Sequence, residues 1–250
     1  MPKAALLKNG QYYRFNNFLD PGLICAFSCR ALGNMSLCYG QTQGVLENRK
    51  QFLGELGVDY RDLVCAHQVH GNAVCYIQES DKGKGALVYE GSVANTDALV
   101  TDKKGLPLAI FTADCLCVFL YDPDKPAIGV VHAGWRSTKD NIVAETIKLM
   151  RGEFNTDPKG LYAAFGPAIR SCCFEVEKEI IDFFSGGLIQ RDNRSYLDLP
   201  GINKNQLLDS GVKGENISDC GICTLCRNAD FFSYRKEKSS SGRMMSVMML

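Results

Sequence analysis

Histidine is scarce in this 250-residue chain, which has only His67, His70 and His132. A multicopper oxidase, whose coppers are held by many imidazoles, is excluded by that count. Net charge is lacking as well. The 28 Lys and Arg balance 28 Asp and Glu, so there is no basic excess of the kind that coats nucleic acid. A local basic pocket for a phosphate remains compatible with a neutral total. No apolar run approaches the roughly 18 residues of a membrane-spanning helix. The apolar stretch near the start, Ala4 to Leu7, is shorter than the about 7–15 residues of a secretory signal. A cytoplasmic protein without membrane or nucleic-acid partners is expected. Linkers and repeats are missing too, so a single domain over 1–250 is expected. The Lys-, Ser- and Met-rich stretch from Lys236 onward is expected to fray, over 238–250 in particular.

Cysteine, by contrast, is plentiful, with twelve residues. In a cytoplasmic chain these are expected to be reduced, and most to serve as small buried apolar groups. Cys220, Cys223 and Cys226 are spaced by two residues each, which hints at a metal knuckle. Cluster binding takes four cysteines, and no Cys-Pro follows at the required spacing. Packing or a place in a pocket wall is therefore expected for these three, and a structural place for Cys172 and Cys173.

Leu23–Arg30 reads as a strand and Thr42–Leu56 as a helix stopped by Gly57. Between Leu63 and Gln78, two apolar runs flank Gly71 and Asn72, which predicts a hairpin or tight turn with His70 at its mouth. Ala98–Thr101 is a short strand. Leu106–Pro123 is too long and apolar for one surface strand. It reads as two buried segments interrupted at Thr112–Cys115. Ala127–His132 is a buried strand broken by Gly134. Ser137 or Thr138 then caps a helix to about Arg151, with Val143, Ile147, Met150 and Phe154 at core spacing. Gly166 and Pro167 make a turn. Helices are expected near Glu175–Phe184 and over Asn203–Ser210. Strands and helices alternate without strict order, which predicts a mixed-sheet α/β or α+β domain.

His70, Cys115 and His132 each lie at the edge of an expected strand. Catalytic zinc sites commonly use three protein ligands and keep a fourth position for water. Two neutral imidazoles and a thiolate suit that set, and Asp114 is placed to orient a ligand or take a proton. Ordinary core histidines and a buried thiol are the bland alternative. On a strand His67 and His70 point to opposite faces, so they do not serve as co-ligands. The turn at Gly134, Trp135 and Arg136 before a helix offers amides and a guanidinium to an anion. Arg30 and Arg170 are further candidates, although such residues often form surface ion pairs. Trp135, the only Trp, suits base stacking or the core.

Five motifs occur in register: HQVHG at 67–71, TADC at 112–115, HAGWR at 132–136, GPAIRSCCFEV at 166–176 and CTLCRNADFFSYRKE at 223–237. Together they resemble the YfiH/YlmD/FAMIN family, once labelled laccase-like or polyphenol oxidase. FSCR at 27–30, ENR at 47–49 and LDLPGINKNQL at 197–207 extend the likeness over nearly the whole chain. The resemblance implies a two-sheet α/β/β/α sandwich with mixed sheets. It implies a zinc ion on His70, Cys115 and His132. It also implies phosphorolysis of purine nucleosides and methylthioadenosine, and deamination of adenosine. Substrates would be a purine nucleoside and inorganic phosphate. One departure stands out: where the family has a Gly-Gly-Val-Ser-like loop, this chain has ALGNMS at 31–36. His67 is not a ligand position in the family and is expected in the pocket wall or the scaffold.

Other readings use the same atoms. A single copper on two imidazoles and a thiolate is chemically compatible, as a polyphenol oxidase would require. A cysteine hydrolase would use Cys115 as nucleophile and His132 as base, a scheme that includes editing of peptidoglycan precursors. A non-catalytic protein stabilised by zinc is a third class. A cytidine-deaminase site is disfavoured, because Val69, Asn72 and Gly134 stand where a glutamate two residues after histidine is needed.

Overall fold

The computed structural model describes residues 5–16 and 22–250. Two six-stranded mixed sheets face each other. The first runs β1 (Ala5–Asn9), β2 (Tyr12–Asn16), β3 (Ile24–Ser28), β15 (Met244–Met249), β7 (Leu108–Thr112) and β4 (Val64–Cys65). The second runs β14 (Ile217–Asp219), β10 (Tyr162–Phe165), β8 (Leu116–Asp122), β9 (Ala127–Ala133), β6 (Ala98–Thr101) and β5 (Val74–Tyr76). A small third sheet joins β11 (Glu175–Val176), β12 (Leu188–Arg191) and β13 (Arg194–Leu197). The expected α+β, two-sheet α/β/β/α sandwich in one domain is what the chain forms.

Strand alternation builds the layers. In β8, Cys117, Phe119 and Tyr121 enter the core between the sheets, where they meet Phe15, Phe27 and Ile110. Leu116, Val118 and Leu120 point the other way, against helices α3 (Ile142–Phe154) and α5 (Leu199–Asp209). On the outer face of the first sheet, Ala26, Met245 and Val247 pack with Phe52 and Leu53 of α1 (Thr42–Glu55). A strand buried on both faces is continuously apolar, which explains why Leu106–Pro123 resists a surface reading.

Several expectations need correction. The hairpin at Gly71 and Asn72 does not form: β4 belongs to the first sheet and β5 to the second. The chain crosses between the sheets there, because its amides wrap a carboxylate (described below) instead of closing a turn. The end of the chain does not fray. Residues 244–249 form a central strand between β3 and β7, held by apolar burial that a Met-rich run conceals. The helix expected from Ser137 is two helices, α2 (Trp135–Lys139) and α3. The left-handed Asn141 (φ 58°) separates them, and the N-cap of α2 is Gly134. All four expected core residues of α3 are buried. The helix expected over 175–184 is β11 followed by the short α4 (Lys178–Ile181). The next helix, α5, begins at Leu199, where the Asp198 carboxylate caps it by accepting from the Gly201 N–H at 3.2 Å.

Candidate active site

The two crossings between sheets deliver the chemistry. One carries His70, the other, between β7 and β8, carries Cys115. His132 lies in β9 opposite Cys117 of β8, so its ring stands at the same end of the second sheet. The structure brings all three together: their donor atoms lie within 4.8 Å of one another. The two imidazoles meet edge to face with centroids 4.8 Å apart. A side chain at Gly134 would meet the Cys115 sulfur at 3.1 Å and the His70 ring at 3.2 Å, so glycine there leaves the cluster its room.

Asp97, absent from the sequence reading, organises this cluster. Fully buried, it accepts from the backbone N–H groups of Val69 (3.1 Å), His70 (3.0 Å) and Gly71 (2.8 Å). That grip holds His70 in its left-handed conformation, φ 61°. The His132 Nδ1–H donates to the same carboxylate at 2.7 Å, and the His132 backbone N–H donates to the Asp97 carbonyl, also at 2.7 Å. The imidazole tautomer is thereby set, with Nε2 left to face the cluster. Only a lone acid ahead of the apolar run ALVT marks Asp97 in the sequence.

Charges are strongly coupled here. Burial alone raises the Cys115 thiol, yet the charge of His132 and hydrogen bonds from His132 and His70 bring it down to about 6. Burial lowers His132, but the Cys115 thiolate and the Asp97 carboxylate together push it up to about 9. Without a cation, the pair is a thiolate beside an imidazolium.

The donor set fits a soft divalent metal. Two imidazoles and one thiolate converge, and among the described residues no fourth His, Cys, Asp or Glu joins them. Asp114, beside Cys115, holds φ 88° and lines the cleft. Its carboxylate accepts from the Thr224 hydroxyl and the Arg235 N–H, each at 2.6 Å. It thus anchors the loops around Cys115, and the orienting of a ligand falls to Asp97.

The cluster opens into a cleft of about 520 Å³. Phe111, Trp135, Phe174 and Tyr234 supply aromatic walls. Arg136, Arg235, Lys238 and Arg243 also line it, and among the described residues none of these four forms an ion pair. Asp114, already engaged, is the one carboxylate in that lining. Of the expected anion-binding residues, Arg136 is in the cleft, its guanidinium 4.2 Å from the Trp135 ring centroid. Trp135 stacks on Phe183 and is half-buried.

Arg30 and Arg170 are elsewhere. Arg30 binds the Asn228 and Phe231 carbonyls and pairs with Glu237. Arg170 pairs with Asp219 and reaches the Ile222 carbonyl. Both tie loops together through acceptors that flank them, so neither is free for substrate. The amides expected at the start of α2 are not a ready anion site: the helix has five residues, and the Gly134 N–H donates to the Ser137 hydroxyl at 3.1 Å. His67 packs edge-on against Tyr89, a cleft residue. Arg235, Lys238 and Arg243 were missed because Arg235 adjoins, and the other two lie within, the stretch taken for a tail, although the basic run RKEK is visible there.

The ALGNMS loop borders the cleft through Ser36. Asn34 holds it: its side-chain oxygen accepts from the N–H of Arg243 (2.9 Å) and Ser36 (3.2 Å). A second cysteine group also appears. The sulfurs of Cys172, Cys173, Cys223 and Cys226 lie within 4.8 Å of one another.

A family model described as multi-copper polyphenol oxidoreductase laccase matches residues 31–250. The chain belongs to this family. Its relatives include the purine nucleoside phosphorylase YlmD of Bacillus subtilis, 35% identical over 212 residues, which are 82% of this chain and 76% of the relative. The adenosine deaminase RL5, from an unknown prokaryotic organism, is 32% identical over 208 residues, 80% and 79% of the two chains. The crystal structure of YlmD from Geobacillus stearothermophilus superposes with a TM-score of 0.94 at 28% identity, covering 98% of each chain. The family's copper label sits poorly with three imidazoles, one of which is committed to Tyr89. Among the described residues, no helix is long and apolar enough to cross a membrane.

Proposed function

We propose that this protein is a zinc-dependent purine nucleoside enzyme. It would cleave adenosine, inosine, guanosine and methylthioadenosine with phosphate, and deaminate adenosine. One observation carries the reading: a three-donor centre opens into an aromatic cleft lined by four cations that, among the described residues, form no ion pair, and by one already engaged carboxylate. Relatives named for both activities support it. A zinc ion on His70, Cys115 and His132 would supply a Lewis acid with an open coordination position.

The chain's own residues do the rest. Arg136 and Arg243, with Arg235 and Lys238 nearby, would hold inorganic phosphate by charge-assisted hydrogen bonds. Phosphate attacks ribose C1′, the bond from C1′ to the purine nitrogen breaks, and the base leaves. Trp135 and the other aromatic walls would orient the base and exclude water. Asp97 keeps His132 in one tautomer throughout.

The test is incubation of inosine and adenosine with and without phosphate, alongside metal analysis. Base release only with phosphate supports phosphorolysis, and conversion of adenosine to inosine supports deamination. Neither product from a fully loaded protein overturns the proposal. A zinc protein is colourless, whereas one copper on the same three donors is expected to be intensely blue.

A second reading is kept by one feature. Cys115, His132 and Asp97 stand in the order nucleophile, base and orienting acid, as a cysteine hydrolase, or an editor of peptidoglycan precursors, would need. A chelator separates the two: it abolishes turnover in the first reading and leaves or raises it in the second.

A further inference from the structure

We propose that Cys172, Cys173, Cys223 and Cys226 form a second metal site, a structural tetrathiolate centre for zinc. Four sulfurs around a zinc at about 2.3 Å stand roughly 3.8 Å apart. Here the Cys226 sulfur is 3.7 Å from that of Cys172 and 3.4 Å from that of Cys173, and all four lie within 4.8 Å. The cysteines come from two loops, with Cys172 and Cys226 54 residues apart, so their convergence is a product of the fold.

Those loops are fixed independently of any ion. Ala168 bridges Cys223 in parallel: the Ala168 N–H donates to the Ile222 carbonyl (3.3 Å), and the Thr224 N–H to the Ala168 carbonyl (3.1 Å). The Arg170 side chain adds its pair with Asp219 and its contact with the Ile222 carbonyl. Within the loops, the Cys173 N–H donates to the Arg170 carbonyl at 2.8 Å, and the Arg227 N–H to the Cys223 carbonyl at 2.9 Å. A prearranged ligand set avoids the ordering cost of binding.

The chemistry of the set narrows the metal. Four thiolates and no carboxylate suit zinc and exclude magnesium or calcium. Four protein ligands close the coordination shell, as in structural sites, whereas the His70 centre offers three. On binding, the thiols release their protons to solvent. The site is also well placed to brace the cleft. Ile169 and Phe174, which flank the cysteine pair, line the cleft wall. Thr224, between Cys223 and Cys226, donates to the Asp114 carboxylate next to Cys115. The ion would therefore lock the wall to the loop that carries Cys115. This inference does not depend on which reaction the cleft performs.

Cys115→Ala protein isolates the cluster, because its other centre has lost its sulfur. It is produced in zinc-containing medium and purified with a thiol reductant and no chelator. One zinc per chain is expected, with an X-ray absorption shell of four sulfurs at about 2.3 Å. The unsubstituted protein is expected to hold two. Adding Cys223→Ser and Cys226→Ser to the Cys115→Ala chain is expected to bring zinc down to background. The proposal is overturned by a metal-free Cys115→Ala chain, by a shell containing nitrogen or oxygen, or by zinc that survives the two serines. A disulfide from Cys226 to Cys172 or Cys173 in acid-quenched, alkylated protein overturns it as well. The absorption measurement needs no substitution in the cluster, so a misfolded serine variant leaves the question decidable. Loss of the His70 centre's metal alone would bear on the proposed function and not on this one.

Discussion

Asp97 meets three backbone amides and one imidazole with a single carboxylate, in a place fully closed to water. Asparagine there has one acceptor oxygen and an NH2 group that would face N–H donors. Leaving buried donors unpaired costs about 1–3 kcal/mol, and loss of a carboxylate behind a ligating histidine lowers metal affinity about 10- to 100-fold. Asp97→Asn is therefore expected to show both effects, read by thermal melting and by competitive zinc titration. An unchanged zinc affinity would refute the positioning role. Cys115 gives a pH signature. Its pKa lies near 6 in the metal-free site because His132 and His70 outweigh burial. A lowered thiol is charged above that value, so alkylation of metal-stripped protein rises with pH through about 6. An ordinary thiol has its midpoint near 8.5. Peptide mass spectrometry of Cys115 across pH 5–9 checks this, and zinc is expected to protect the residue. At this scale the convergence of His70, Cys115 and His132 was legible because each sits in a motif that carries the family resemblance. Asp97 was not, because nothing local distinguishes an acid that folds back onto a segment 26 residues earlier. Arg30 and Arg170 misled because an arginine's sequence neighbours do not reveal the acceptors that claim it.

Elements position these residues by crossing from sheet to sheet. Apolar length marked β7 and β8 as two buried segments, and the break between them is one of the crossings. The other was mistaken for a hairpin, since two apolar runs around Gly71 look the same whether they pair with each other or with strands of different sheets. The last strand shows the converse. Its methionines carry no strand preference of their own, and only pairing on both edges makes it β15. Removing residues 244–250 would open the first sheet between β3 and β7. Such a chain is expected to be insoluble or molten, which near-ultraviolet circular dichroism would show. Arg49 of α1 is a subtler tie. It is buried, and its guanidinium donates to the carbonyls of Met35 (2.8 Å), Gly85 (2.9 Å) and Ala86 (2.8 Å), with Phe111 beneath it. Arg49→Leu strands those carbonyls and is expected to destabilise the fold by about 3 kcal/mol or more in urea unfolding. Because Met35 precedes Ser36 and Phe111 lines the cleft, the variant's KM for nucleoside is expected to rise as well.

At the scale of the whole molecule, the fold class was legible because alternation and apolar runs are properties of the entire chain. The electrostatics of the cleft were not. A chain with no net charge gives no warning that Arg136, Arg235, Lys238 and Arg243 share one opening. Folding separates the charges, so that the one carboxylate among these cations, Asp114, is already engaged. This local field has a measurable consequence. Screening shortens from about 10 Å at 0.1 M salt to about 3 Å at 1 M, so attraction of a dianion is lost over that range. A neutral nucleoside has no such attraction to lose. The KM for phosphate is therefore expected to rise severalfold between those concentrations, with the KM for inosine nearly constant. Charge-assisted hydrogen bonds contribute about 1.5–3 kcal/mol, so Arg136→Ala and Arg243→Ala are each expected to raise the phosphate KM about tenfold or more. Each should also flatten the salt dependence, because fewer charges remain to be screened. A phosphate KM that ignores both salt and these substitutions would place the anion outside the cleft, whatever metal the histidines hold.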